Sequence, residues 1–441
     1  LAYQKMIEEG YDEEYAKVVT TYLSLLISKL STTLNTICRW NDNSEAVAGK
    51  PDQFGTLEIR WDYPEVNPFS ESTGSYGNHF NAIIKCFENA CSIVPTKKNK
   101  KQYPFQSSAT ELPFPNDHFN AVFTDPPYYD NIPYSYLSDF FYVWLKRTIG
   151  DLYLELFATP LTPKSKEIVA YTYNRNWEEA KRFFEEMLTQ AFKEIYRVLK
   201  PNGIAVIVFA HKSTDAWEAI INSLLKSGLV LTASWPIETE RKGRQRAQKS
   251  AALASSVYMI CRKYEKKSTA YFNEIKEELE KRVKERLNYF WEQGITGADF
   301  FVSAIGPAVE VFGKYERVEK LSGEEVTVQE LLEYVRKIVS EYALERVLKT
   351  PNLGGVDTET RFYLLWRWVF GNAKVHFDDA IKLSRPLGVE LTSLWDGGFV
   401  KKEKEFVRVL SPLERAKDKT FMRRKPTTMI DVLHRCLILW D

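Results

Sequence analysis

Short apolar segments alternate with amphipathic segments along residues 119–263, and this alternation restricts the possible folds more than any other feature of the sequence. The apolar segments lie at Phe119–Thr124 and at residues 204–210, 229–234 and 255–262. Apolar residues at helical spacing occupy residues 177–199 and Thr214–Ser227 between them. Strands that alternate with helices form parallel sheets covered by crossover helices. The pattern therefore predicts an α/β fold in which Phe119–Thr124 is a short buried strand.

The length and a change in composition indicate two domains. A chain of 441 residues is longer than one hydrophobic core usually supports. Glu, Lys and Arg dominate residues 265–286, which is typical of a solvated helix at a domain boundary. We therefore expect a domain over residues 1–264 that contains the sheet, and a mostly helical accessory domain over residues 265–441.

Composition and targeting signals exclude several classes of protein. No apolar run reaches the roughly 18 residues that cross a bilayer, and the first residues lack the order of a secretory signal. We therefore expect no membrane association and a cytoplasmic location. The five cysteines are scattered without a C-x-x-C pair, which predicts neither a disulfide framework nor a metal site. The net charge of +1 restricts any nucleic-acid surface to a local patch.

The segment with the clearest chemistry is Asp125-Pro126-Pro127-Tyr128, directly after the first predicted strand. Open parallel sheets bind ligands at the carboxyl ends of their strands. The exocyclic amine of adenine or cytosine is a weak nucleophile because its lone pair is delocalised into the ring. The carboxylate of Asp125 and the carbonyl of Pro126 can accept its two N–H bonds and so localise that pair. Two successive prolines restrict the backbone and hold both acceptors in one arrangement.

Further side chains near this segment are candidates for contact with a substrate. Tyr128 offers a ring on which a base rotated out of its duplex can stack, a contact worth about 1 to 3 kcal/mol. Tyr129 is a second aromatic candidate. His211 and Lys212 follow the predicted strand at residues 204–210, and they form either a surface pair or a substrate contact.

A cluster of cations lies between the predicted strands at residues 229–234 and 255–262. Its members are Arg241, Lys242, Arg244 and Arg246, and no acidic residue interrupts them. Cations at this position are suited to binding the phosphates of a nucleic acid beside a site at the sheet edge. A solvated loop is the equal alternative.

An apolar strand followed by Asp-Pro-Pro-Tyr resembles the D-P-P-Y signature of N6-adenine and N4-cytosine DNA methyltransferases. More closely, the chain resembles the adenine-specific DNA methylases that carry the DUF1156 domain. The matching segments lie at residues 67–69, 124–131, 209–212, 297–299 and 357–368, and the resemblance covers nearly the whole chain. It implies a Rossmann-like class I methyltransferase sheet, S-adenosyl-L-methionine as the methyl donor, and residues 125–128 as the holder of the target amine.

The resemblance also implies a cofactor site. Asn67, Pro68 and Phe69 would lie near the methionine end of S-adenosyl-L-methionine. The stretch at residues 108–114 resembles the segment that meets the adenine of the cofactor in such folds, which makes Ala109 a candidate contact. A plain loop is the equal alternative for this stretch.

One element of the family pattern is missing. The Gly-rich D-P-F-x-G-x-G loop that contacts the cofactor has no clear match, and residues 74–77 are a weak candidate because no credible buried strand precedes them. The amino-terminal region and the cysteine-rich insert of whole family members are absent too. We therefore expect a sheet that is incomplete at its amino end. We also expect this chain to be the C-terminal portion of a longer or split protein, with a separate chain or segment supplying the Gly-rich loop.

Together these features predict a DNA methyltransferase, of the kind found in restriction-modification, that transfers a methyl group to N6 of an adenine flipped out of double-stranded DNA. Two alternatives stay open. The first is a catalytically incomplete DNA-binding subunit of a restriction or defence system. The second is a methyltransferase that acts on RNA or on a protein amide, because an N-P-P-Y segment can hold a planar amide in the same way. Asp125 in place of asparagine argues against the amide.

Overall fold

The computed structural model describes residues 1–48, 61–72, 74–93, 106–130, 132–172, 174–211, 213–238, 255–263, 268–350, 353–395 and 397–440. The chain forms two compact units, Leu1–Gln106 with Asp130–Val169 and Ser107–Tyr129 with Ala170–Asp441. The predicted boundary near residue 264 falls inside the second unit, because helices beyond it pack against the sheet. Contacts therefore divide the chain at other places than its composition does.

The first unit consists of helices and one small hairpin in its described part. Its elements are α1 (Ala2–Glu8), α2 (Glu13–Ser31), β1 (Arg39–Asn41), β2 (Ala46–Ala48), α3 (Tyr76–Ile93) and α4 (Tyr134–Ile149). The two strands pair antiparallel. Helix α2 begins after Asp12, whose carboxylate accepts the backbone N–H of Tyr15 at 3.0 Å, and it packs against both α3 and α4.

The buried face of helix α2 consists mainly of small residues, together with Leu26. Ala16, Thr20 and Ser24 are buried, whereas Tyr22 and Leu25 are exposed. The Thr20 hydroxyl donates to the Ala16 carbonyl at 2.8 Å, and the Ser24 hydroxyl donates to the Thr20 carbonyl at 2.9 Å. Both hydroxyls are therefore hydrogen-bonded although they are buried. The small side chains allow neighbouring helices to approach closely.

The second unit contains a four-stranded sheet. Its strands are β3 (Phe119–Thr124), β4 (Leu199–Phe209), β5 (Leu229–Glu238) and β6 (Ser255–Lys263), in the order β3-β4-β6-β5. Strand β3 is parallel to β4, whereas β6 is antiparallel to both β4 and β5. The presence of helices and sheets confirms a mixed α/β fold. The sheet is not wholly parallel, since the last strand in sequence is inserted between β4 and β5.

The prediction that β3 is buried was wrong. Asn120, Ala121 and Phe123 are exposed, and Phe123 keeps 65% of its surface accessible. The reason is position, because β3 lies at the edge of the described sheet and pairs with one neighbour, β4. A short apolar run therefore identified the strand without indicating how many neighbours it has.

Two helices, α5 (Trp177–Val198) and α6 (Thr214–Ser227), pack against each other in the second unit. Helix α5 starts with a capping box in which Asn176 and Glu179 each accept a backbone N–H of the other at 2.9 Å. Helix α6 stops at Gly228, whose φ of 89° is in the left-handed region that glycine adopts without strain. Both helices lie where the sequence predicts them.

The remainder of the second unit is mainly helical. Its helices are α7 (Phe272–Glu292), α8 (Gly297–Ser303), α9 (Ile305–Phe312), α10 (Val328–Leu348), α11 (Thr358–Phe370), α12 (Phe377–Ser384), α13 (Pro412–Ala416) and α14 (Met429–Trp440). Its strands are β7 (Ala270–Tyr271) paired with β8 (Val318–Glu319), and β9 (Val375–His376), β10 (Val400–Glu403) and β11 (Phe406–Val409) in the order β10-β11-β9. Among the described helices of the chain, none combines the length and the apolar character that crossing a bilayer requires.

Helix α9 joins this helical part to the sheet. It packs closely against α7 and β5, and six of its residues are buried. The closest approach is at Gly306, where an added Cβ would overlap the Oγ and Cβ atoms of Ser234 on β5. Only glycine leaves room for this approach.

A buried polar cluster connects α13 with α14. The Arg415 guanidinium donates to the Asp431 carboxylate at 2.6 Å and lies 3.3 Å from Nδ1 of His434. It also stacks on the Phe421 ring, 3.9 Å from the ring centroid. Burial and the adjacent Arg415 lower the pKa of His434 to about 4, so its ring is neutral in the folded protein above that pH.

We expect Gly306→Ala to lower the free energy of unfolding by about 1 to 3 kcal/mol, because the new methyl group overpacks α9 against β5. Urea unfolding measures this change. Gly77→Ala on α3, where nothing lies within 4 Å of the added Cβ, is the matched control and should be neutral or slightly stabilising. Ser234→Gly should restore stability to the Gly306→Ala protein. Equal urea concentrations at the midpoint of unfolding for the Gly306→Ala and parent proteins would contradict the close approach of α9 to β5.

His434 should make the protein less stable as the pH falls from its ordinary pKa of 6.5 toward about 4. In this window the unfolded chain binds a proton that the folded protein does not, so the free energy of unfolding decreases by an amount on the order of 3 kcal/mol. His434→Gln should flatten this part of the curve, measured by urea unfolding in steps across the window. An equal slope for the His434→Gln and parent proteins would refute the effect.

Candidate functional site

The parallel pairing of β3 with β4 defines one edge of the sheet. Thr124, the last residue of β3, is in register with Ile207 of β4, so residues 125–128 and His211 both follow strand ends at this edge. Glu238 at the end of β5 pairs with Ser255 at the start of β6, and β6 runs antiparallel to β4. The ends of β3, β4 and β5 and the beginning of β6 therefore lie along the same edge.

Asp125 is a charged group at this edge. It is exposed, and no described residue forms a hydrogen bond or an ion pair with its carboxylate. Pro126 and Pro127 are half-buried, and their rings limit the backbone that follows Asp125. The site thus presents an accessible carboxylate on a restricted stretch of backbone.

Tyr128 is held from one side by a row of aromatic rings. Its ring is half-buried and meets Phe209, the last residue of β4, edge to face with centroids 5.5 Å apart. Phe209 in turn meets Trp217 of α6 at 5.0 Å. Edge-to-face contacts of this kind stabilise the orientation of each ring. The packing therefore supports Tyr128 at the strand end beside Asp125.

The sequence makes Tyr129 a candidate for contact with a base, whereas the structure buries its side chain in the core. Only 2% of its surface is exposed, and its ring packs edge to face against Trp177, Phe184 and His211. Its φ of 59° is in the left-handed region, which costs a tyrosine conformational energy. Its carbonyl accepts the N–H of Ala170 at 3.0 Å. In this conformation Tyr129 anchors the segment instead of offering a ring to a substrate.

His211 is buried next to this anchor. Its Nδ1 accepts the backbone N–H of Ser213 at 3.0 Å, and its carbonyl accepts the indole N–H of Trp217 at 2.7 Å. These bonds connect the end of β4 to the start of α6. His211 therefore shapes the edge from inside, while the adjoining Lys212 lies outside the described residues.

Ala109 is exposed in a tight turn of the second unit. The backbone N–H of Thr110 donates to the Ser108 hydroxyl at 3.3 Å, and the N–H of Glu111 donates to the Ser108 carbonyl at 3.2 Å. The turn thus holds a small residue toward solvent in a defined conformation.

Two residues that the sequence analysis missed fix the segment after this turn. Arg197, at the end of α5, donates to the carbonyls of Leu112 at 2.8 Å and Phe114 at 2.7 Å. Glu194 accepts from the Leu112 N–H at 2.9 Å and from Arg197, and the hydrogen bond from Arg197 lowers the pKa of its carboxyl group. Glu194 and Arg197 are three residues apart on a helix, a spacing that predicts an ion pair between them. The spacing does not predict that the pair binds the loop at Leu112.

Asn67, Pro68 and Phe69 belong to the first unit. The side-chain oxygen of Asn67 accepts the N–H of Phe69 at 3.0 Å, and the Pro68 carbonyl accepts the N–H of Tyr76 at 2.7 Å. Phe69 keeps 82% of its surface exposed. The segment is therefore a defined turn with an accessible ring at its tip.

The predicted phosphate contacts Arg241, Lys242, Arg244 and Arg246 lie outside the described residues. They belong to the connection between β5 and β6, and both of its described ends, Glu238 and Ser255, are at the edge that carries Asp125. Their contact with phosphate stays a prediction.

We expect Tyr129→Ala to lower the free energy of unfolding by about 3 to 5 kcal/mol, because it removes a large buried ring from among three others. Tyr128→Ala is the matched comparison and should cost clearly less, since that ring is only half-buried. Urea unfolding of both variants measures the difference. An equal loss for the two variants would show that Tyr129 is not the anchor of the segment.

Among the described residues, no group of three or more histidine, cysteine, aspartate or glutamate side chains is placed to hold a metal ion. Protein-family models, curated protein sequences and solved structures show no significant match to the chain. The residues at the carboxyl edge of the sheet are therefore the basis for a functional conclusion.

Proposed function

We propose that the chain is the catalytic portion of an S-adenosyl-L-methionine-dependent DNA methyltransferase that modifies N6 of adenine. The observation that carries this proposal is the accessible carboxylate of Asp125, which follows a strand end and precedes two prolines and a supported tyrosine ring. This arrangement has the acceptors and the stacking surface that an exocyclic amine needs. The resemblance of the chain to D-P-P-Y methylases supports the same activity.

Asp125 and Pro126 act on the target amine. The carboxylate of Asp125 and the carbonyl of Pro126 accept its two N–H bonds, which draws the lone pair out of conjugation with the base. When bound, S-adenosyl-L-methionine would supply the methyl group by breaking its sulfonium carbon–sulfur bond, and the amine nitrogen would lose one proton as its bond to carbon forms. Asp125 faces solvent and can pass that proton to water. The two prolines limit the movement of both acceptors, so little reorganisation accompanies the reaction.

Tyr128 positions the base. A base inside a duplex cannot reach a protein carboxylate, so enzymes that modify bases rotate the nucleotide out of the stack. The Tyr128 ring offers a stacking surface for that base, and its edge-to-face contact with Phe209 keeps the ring in place. Tyr129 and His211 support this surface from the core.

The candidate cofactor contacts are assigned by the resemblance, and each is described within its own unit. Ala109 is small, exposed and held in a fixed turn, which suits a close approach to the adenine ring. Phe69 is exposed in a defined turn, as a contact for the methionine end requires. The connection that contains Arg241 and Arg244 starts and ends at the edge of Asp125, where phosphates of bound DNA would pass.

The activity is tested with tritium-labelled S-adenosyl-L-methionine and duplex DNA of mixed sequence. We expect label in N6-methyladenine after enzymatic digestion and chromatography. Asp125→Ala should reduce the rate at least about 100-fold, the usual effect of removing a group that stabilises charge in the transition state. Because Asp125 is exposed, its loss should leave urea unfolding unchanged.

Glu316→Ala removes another exposed carboxylate of the second unit and is the matched control, which should keep full activity. Label in N4-methylcytosine would support methyl transfer to an exocyclic amine but identify cytosine as the target base. Tight DNA binding without any transfer would favour the DNA-binding subunit. Transfer that survives Asp125→Ala would refute the assigned role of this residue.

A further inference from the structure

A cavity of about 120 Å³ lies among the helices of the second unit, outside the residues used above. It is bordered by α8, α10, α11 and α12 and by the strands β9 and β11, and we call it the α10 cavity. Most of its wall is apolar, formed by Phe301, Val302, Val369, Phe370, Leu383 and Phe406. A cavity of comparable size suffices for a single aromatic ring.

The charged groups of the wall are mainly cations. Arg336, Lys374 and Lys382 face one carboxylate, Asp379. Burial lowers the pKa of Arg336, while the charge of Asp379 opposes that effect. The two lysines pair with carboxylates that do not line the cavity. Lys382 donates to Asp215 at 2.9 Å, and Lys374 pairs with Glu403. Both lysines are therefore compensated by carboxylates, and the group of the wall that suits an oxyanion best is the forked guanidinium of Arg336.

Ser340 adds an unused hydrogen-bond group to the same wall. It is 1% exposed, and its hydroxyl has no hydrogen-bond partner among the described residues. It lies one turn after Arg336 on α10, so the two side chains share a face of the helix. An unpaired buried hydroxyl costs free energy, and a ligand that accepts its proton removes that cost.

We propose that the α10 cavity binds a small organic acid that consists of one carboxylate on an aromatic ring. The guanidinium of Arg336 matches a carboxylate in two parallel hydrogen bonds, and the Ser340 hydroxyl donates a third. The apolar wall encloses the ring. Asp379 repels a second negative charge, which selects a monocarboxylate over a dianion such as inorganic phosphate. The pattern of an apolar pocket with a few converging polar groups is typical of small-molecule sites.

This site is separate in chemistry from the proposed methyl transfer and does not depend on it. Arg336 and Phe301 also border a smaller cavity of about 40 Å³ that reaches Trp217. Trp217 donates to the His211 carbonyl and packs on Phe209. The wall of the α10 cavity is thus continuous with the packing that supports the carboxyl edge of the sheet.

Calorimetric titration of the full chain with benzoate tests the proposal, with benzyl alcohol and benzylammonium as the neutral and cationic probes of the same size. We expect benzoate to bind at least about tenfold more tightly than benzyl alcohol, as a charge-assisted hydrogen bond provides, and benzylammonium not to bind. Arg336→Met should weaken benzoate at least about tenfold and leave benzyl alcohol unchanged. Lys337→Met, at the exposed next residue of α10, is the matched control and should change neither.

Ala298→Leu, which fills the cavity with apolar atoms, should abolish binding of benzoate and benzyl alcohol alike, and it provides a second variant if Arg336→Met does not fold. Far-ultraviolet circular dichroism verifies the fold of each variant. Three results would overturn the proposal: no benzoate binding by the parent chain, equal affinity for benzoate and benzyl alcohol, or benzoate binding that survives Ala298→Leu.

Discussion

The parallel pairing of β3 with β4 is the interaction on which the candidate site depends. It places the end of Phe119–Thr124 beside the end of Leu199–Phe209. Asp125 and His211 therefore lie at one edge although they are 86 residues apart in the sequence. A shift of this register by one residue would turn the side chains of β3 to the opposite face. The contact between Tyr128 and Phe209 would be lost with it.

The site combines an accessible charged group with a rigid support. Asp125 is exposed and unpaired among the described residues, while Tyr129, four positions later, is buried with a left-handed backbone. Strained backbone of this kind persists only where surrounding packing holds it, and the rings of Trp177 and Phe184 provide that packing. The packing of the Tyr129 ring therefore fixes the backbone four residues after Asp125.

The helical part of the second unit is structurally continuous with the sheet. Helix α9 packs on β5 through Gly306, and Lys382 of α12 donates to Asp215 at the start of α6. Asp215 also pairs with Lys181 of α5, and these two cations lower the pKa of its carboxyl group against the effect of burial. Helices on either side of the predicted boundary are thus joined by buried packing and by ion pairs.

The sequence by itself determined the local structure: the strands that end at Thr124 and near His211, and the helices α5 and α6. These features depend on apolar periodicity and on residues close in the chain, which a sequence displays directly. The tertiary structure alone decided that β3 is an edge strand, that β6 lies between β4 and β5, that Tyr129 is an anchor, and that Glu194 and Arg197 hold the loop after Ala109. Each of these depends on which distant segments meet, because burial and strand order come from neighbours in space and local pattern carries no information about them.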